Sequence, residues 1–257
     1  MAATQKTITP IDNSVYVERP YATPSEIAAT LKIAAEAQRT WKFTPIAERA
    51  KILTKAVDIF LTRKDQHAEQ ITRQMGRPIS QSPGEMRGFE ERARYMIQIA
   101  AEALADIEAK DKPGFVRFVR REPLGVVFIV APWNYPYLTS VNGVIPALMA
   151  GNAVVLKHSA QTPLCAEGFQ QAFDAAGLPK GLFQHLVLTH DDTAKVIAAP
   201  EVAYCNFTGS VAGGHAVQQA ALGKFMGLGL ELGGKDPAYV RADANLDHAV
   251  EIGRAHV

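Results

Sequence analysis

The chain has 257 residues, room for one large domain or two smaller ones, and its 47% hydrophobic and 21% charged content is that of a globular chain, which excludes a disordered or collagen-like one. A formal net charge of +1 supplies no field that would draw it to nucleic acid or an anionic membrane, and no apolar run is long enough to cross a bilayer. Two cysteines without CxxC spacing, Cys165 and Cys205, exclude a disulfide framework and point to a reducing, cytoplasmic setting, while the polar first 21 residues, broken by Pro10 and Pro20, lack a signal-peptide core.

Residues 1–22 read as an extended arm. Thr23-Pro24-Ser25-Glu26 then offers an N-cap, a proline at the first helical position and a capping-box glutamate ahead of Ile27, Leu31 and Ala34 at helical spacing. Thr44-Pro45 repeats the device before Leu53, Val57, Phe60 and Leu61, and a third amphipathic stretch over 85–109 puts Phe89, Tyr95 and Ile99 inward. The span 23–111 is therefore helical. Lys112-Pro113-Gly114 ends it, and 115–121 mixes aromatic, β-branched and arginine residues as a half-exposed strand would.

From Leu124 the texture changes. The continuous apolar run 125–131 predicts a strand covered on both faces, and short runs recur at 153–156, 183–188, 202–207, 225–232 and 238–240. Helical stretches such as 163–176 and 210–222 lie between them, which predicts βαβ units in an open, doubly wound parallel sheet whose ligands sit beyond the strands' carboxyl ends.

Three clusters fall at those ends: Pro132-Trp133-Asn134, Lys157-His158-Ser159 and Phe207-Thr208-Gly209-Ser210. Gly209 permits a sharp turn, and Ser210 with the next helix's first N–H groups can meet a phosphate, although Gly209, Gly213 and Gly214 lack GxGxxG spacing. Leu230-Glu231-Leu232-Gly233-Gly234-Lys235 admits two readings. Glu231 either pairs with Lys235 across a turn, or is a general base that leucine walls desolvate and make a better proton acceptor. Cys205 in a core strand and Cys165 in a helix read as buried structural cysteines, and His158 reads as a loop residue.

These motifs, with Gln161-Thr162-Pro163, stand in the order and approximate spacing of the aldehyde dehydrogenase superfamily, which the chain resembles from Pro24 to about Val250. The resemblance implies an α/β fold: an open, doubly wound, Rossmann-like parallel sheet with an amino-terminal helical region and a partial oligomerisation strand over 112–123. It implies a cofactor-binding core over 124–250, without the catalytic domain. It further implies oxidation of an aldehyde to a carboxylic acid with NAD or NADP, through a cysteine thiohemiacetal and a thioester. By position, Asn134 would donate to the oxyanion and Glu231 would activate the hydrolytic water. Lys157 would hold the adenosine ribose, Val130, Trp133 and Leu232 would border the cofactor, and Gly209 and Ser210 would approach the pyrophosphate.

Ala160 stands where NAD-preferring relatives carry a ribose-binding glutamate, so the choice of nucleotide stays open. Asp191 and Lys195 replace glycines in a loop over 189–195, and His158 replaces other residues. The nucleophile, tens of residues beyond the Leu-Gly-Gly motif in relatives, has no counterpart, so this chain is expected to be silent alone and its parent a homo-oligomer. Residues 251–257 depart from the family pattern, and 252–257 match what a common sequencing adapter would encode, so that tail is expected to be non-native. The alternatives are a non-catalytic nucleotide-binding or regulatory module and, more distantly, a hydrolase built on Ser159 or Ser210, which lacks a Gly-x-Ser-x-Gly elbow.

Overall fold

The structure, a computed structural model, describes residues 3–254. The expected arm folds back on itself as an antiparallel hairpin of β1 (Thr4–Ile8) and β2 (Val15–Pro20). The helical region holds α1 (Pro24–Trp41), α2 (Ile46–Leu61), α3 (Lys64–Met75) and α4 (Ser82–Ala103). Thr23 and Glu26 form the anticipated reciprocal capping box at α1. At α2 the cap position falls on Pro45, with no side-chain cap, so Thr44 does not repeat the device. Tyr95, expected inside, is 59% exposed, because it lies off the stripe of Met86, Phe89, Ala93 and Ala100 that α4 buries.

The strand expected over 115–121 contracts to β4 (Phe118–Val119), paired with β3 (Ile107–Glu108) in a small exposed hairpin. Beyond it lies one parallel sheet. Its strands are β5 (Val126–Val130), β6 (Ala153–Lys157), β7 (Phe183–His185), β8 (Val202–Gly209) and β9 (Gly227–Leu232), in the spatial order β7-β6-β5-β8-β9. The connecting helices are α5 (Pro136–Met149), α6 (Leu164–Ala176), α7 (His190–Ala198) and α8 (Val211–Ala220).

Every residue of β5 and β6 is buried, which explains why those strands read as unbroken apolar runs. Residues 238–240 form no strand, and Tyr239 is 89% exposed: β9 ends the sheet order and offers that apolar triplet no partner. The segment over 189–195 is the start of α7 instead of a loop, because Thr189 caps it, accepting from the Asp192 N–H at 3.1 Å and donating to the Asp192 carboxylate at 2.8 Å.

The sheet and its helices share one core. Around α2, α4, α5 and α6 an aromatic cluster of Phe60, Phe89, Tyr137 and Phe169 keeps ring centroids between 4.2 and 6.3 Å apart. A last helix, α9 (Leu246–Arg254), follows a stretch without regular structure, and of the tail set apart at 251–257, residues 255–257 lie outside the described residues.

Candidate functional site

The chain leaves β5, builds outward through β6 and β7, then returns to β8 on the other side of β5. The reversal of strand order parts the loops after β5 and β8, where an open sheet leaves its crevice. A cleft of about 960 Å³ lies there. All eight residues expected at a site border it: Val130, Trp133, Asn134, Lys157, Gly209, Ser210, Glu231 and Leu232. Register explains the convergence, since Val130 pairs with Lys157 on one side and Phe207 on the other, while Gly209 pairs with Leu232.

Lys157 ends a fully buried strand and is itself only 8% exposed, and burial pushes its ammonium below the usual lysine range. Among the described residues it has no carboxylate or carbonyl partner. A buried cation facing a cleft without a counter-group favours a ligand rich in acceptor oxygens.

Ser210 caps α8 by accepting from the Gly213 N–H at 3.1 Å, and both residues border the cleft, so the positive end of the α8 dipole lies at its edge. Phe207 is the reason for glycine there: a Cβ on Gly213 would come within 2.5 Å of its ring. Gly233 and Gly234, with φ of +48° and +107°, make the turn after β9 in a conformation that side chains resist.

Glu231 departs from expectation. It is exposed, and no ion pair with Lys235 occurs among the described residues. The leucine wall is not built: successive strand residues point to opposite faces, so Leu230 and Leu232 share a face that Glu231 avoids, and β9 is an outer strand.

The Pro132–Pro136 turn is held by groups that motif reading passed over. Arg77 donates to the Asn134 carbonyl and to the Glu85 carboxylate, and its guanidinium lies 4.5 Å from the Tyr135 ring centroid. Glu85, its side chain fully buried, accepts from the Tyr137 and Leu138 N–H groups at 2.7 and 3.1 Å at the start of α5. Burial raises the Glu85 carboxyl above the usual range against the pull of Arg77. No local pattern marks this pair, because its partners stand more than fifty residues away.

His158, read as a loop residue, is buried. Its Nε2 lies 3.1 Å from the Pro136 carbonyl, and its Nδ1 accepts from the Ser159 N–H at 3.0 Å. Thr193, Ala194 and Ile197 of α7 also border the cleft. The Thr189-x-x-Asp192 cap is the signal that would have found them. Both thiols are buried, and burial pushes Cys205 up to about 12 and raises Cys165 well above its ordinary value, which disfavours the thiolate at both. Among the described residues no cluster of three or more metal-ligating side chains occurs, and no helix is long and apolar enough to cross a membrane.

Known proteins share this arrangement. A protein described as probable succinate-semialdehyde dehydrogenase (NADP+) from Synechocystis sp. is 36% identical over 227 residues, 88% of this chain and 50% of that protein. The structure of a succinic semialdehyde dehydrogenase from Streptococcus pyogenes in complex with NADP+ superposes with a TM-score of 0.90 at 28% identity, over 96% of this chain and 54% of that one. An NAD-dependent benzaldehyde dehydrogenase from Corynebacterium glutamicum gives 0.90 at 28% identity, over 98% and 55%. The chain thus spans about half the length of the relatives it matches. The aldehyde dehydrogenase family model matches residues 1–255, and with the five-stranded parallel sheet and its strand-end motifs this places the chain in the aldehyde dehydrogenase family.

Proposed function

We propose that the cleft binds a nicotinamide adenine dinucleotide, NAD or NADP, and that the protein to which this chain corresponds oxidises an aldehyde to a carboxylic acid. The observation that carries this reading is Lys157, a buried residue whose ammonium has no carboxylate or carbonyl partner among the described residues, in a cleft that also holds a helix amino terminus. These residues fit the group. Lys157 suits ribose hydroxyls, the α8 N–H groups beside Gly209 and Ser210 suit a pyrophosphate, and Val130, Trp133 and Leu232 border a planar base. When bound, the nucleotide supplies the hydride acceptor.

The Asn134 amide is a donor for an oxyanion, worth a few kcal/mol when preorganised. Glu231 is the base for a hydrolytic water, a role that requires surroundings more enclosed than this chain provides. No accessible thiol is present among the two cysteines, so the chain of 257 residues turns over no aldehyde by itself. That feature also favours a second reading, a nucleotide-binding or regulatory module. Semialdehydes are the first substrates to test, because the Synechocystis and Streptococcus relatives carry that name.

The exposed β3–β4 hairpin, with Val116 91% and Phe118 46% exposed, is proposed as an oligomerisation arm, and the free thiols suit the cytoplasm. Incubation with aldehydes and either nucleotide tests the catalytic claim: turnover by this chain would overturn its predicted silence. Calorimetric titration with NADH and NADPH tests the binding claim, and the absence of binding at millimolar nucleotide would refute it.

A further inference from the structure

The cleft has two rims that continue from the paired ends of β5 and β6, where the Ala131 N–H donates to the Lys157 carbonyl at 3.1 Å. One is the turn after β5, carrying Trp133 and Asn134, and the other is the loop after β6, carrying Lys157 and Ser159. Beyond that backbone bond, the buried His158 side chain ties the start of α5 to the loop after β6. His158 Nε2 lies 3.1 Å from the Pro136 carbonyl, which only accepts, so Nε2 carries the proton and donates. His158 Nδ1 lies 3.0 Å from the Ser159 N–H, which only donates, so Nδ1 is bare and accepts. Two independent partners thus select the same neutral tautomer. Ser140 reinforces the first contact, donating to the Pro136 carbonyl at 2.6 Å, and the Thr162 hydroxyl reinforces the second from 3.0 Å.

We propose that His158 is a positioning residue, a staple that fixes the rim bearing Trp133 and Asn134 relative to the rim bearing Lys157 and Ser159. The proposal rests on the reading of the cleft as a dinucleotide site. A ligand that spans both rims gains from their fixed separation, because that ordering is complete before it binds. A ligand that touches only one rim does not.

The test separates the two halves of the imidazole. H158N keeps an acceptor near the Nδ1 position but is too short to reach Pro136, so it cuts the staple and keeps the local turn. H158Q keeps a donor for the Pro136 carbonyl. In amide NMR spectra H158N should shift the Trp133 and Asn134 signals, and H158Q should leave them near wild-type positions. NADPH or NADH affinity, by calorimetry, should fall about tenfold in H158N and less than threefold in H158Q, with adenosine 5′-monophosphate changed less than twofold in both. Equal losses in the two variants, or an H158N that binds dinucleotide as wild type does, would overturn the proposal. If wild-type protein binds no dinucleotide, the functional reading fails, and unmoved Trp133 and Asn134 amides in H158N would still sink the staple independently.

Discussion

Acid should loosen this fold through its buried histidines: burial lowers His185 as well, and two others, His158 and His67, set the scale. His158 and His67 are buried as neutral rings, and burial lowers each from an ordinary 6.5 to about 4. Lys157 and His185 stand near His158 and add to its lowering, while Arg63 adds to that of His67. Between those two values the unfolded chain binds a proton that the folded chain refuses, so stability is full above about pH 6.5 and falls as pH drops towards 4. For a group titrating at 6.5 unfolded and about 4 folded, going from pH 7 to pH 5 costs roughly 2 kcal/mol.

His67 acts in the same direction, 3.2 Å from the Tyr137 hydroxyl, so the pair removes roughly 2–4 kcal/mol. Glu85 works against them, since its raised carboxyl takes up a proton more readily when folded. At about 2–4 °C per kcal/mol for a chain of this size, Tm should fall roughly 5–15 °C between pH 7 and pH 5. Thermal unfolding by circular dichroism at half-unit steps measures it, with H158Q as the control, which should show a shallower dependence. A Tm flat from pH 7 to pH 5 would show that the buried rings are not the cause, and an equal slope in H158Q would remove His158 as a contributor.

Lys157→Met should weaken nucleotide binding at least tenfold by calorimetry, the effect of one lost charged hydrogen bond, yet raise Tm by about 2–4 °C because a desolvated ammonium is removed. A variant that loses both would make Lys157 structural. Ser210→Ala should cost about 1 kcal/mol in urea unfolding through loss of the α8 cap. Gly213→Ala should cost roughly 1–3 kcal/mol, because its Cβ would meet the Phe207 ring 2.5 Å away, and an unchanged midpoint would mean that the ring yields freely.

What sequence discloses here depends on how local the cause is. The α1 cap lies within four residues, and β5 and β6 announce themselves because burial on both faces removes every polar position. The strand-end motifs were legible for the same reason: they follow those strands directly, and register does the rest. The leucine wall expected around Glu231 is absent because its leucine neighbours in sequence are not its neighbours in space, and a strand's alternation turns them away. Residues 238–240 carry strand composition, but a strand needs a partner, and none is adjacent. Arg77, Glu85 and His158 were illegible as parts of the site, because what they hold comes close only through tertiary packing.

Every role proposed for these residues requires that the cleft hold a dinucleotide. Titrating the 15N-labelled chain with NADPH, and separately with NADH, tests this most directly. Saturable shifts are expected, for at least one nucleotide, confined to the amides of Trp133, Asn134, Lys157, Ser159, Gly209 and Ser210. No saturable shift up to millimolar nucleotide, or shifts centred away from the β5 and β8 ends, would contradict it.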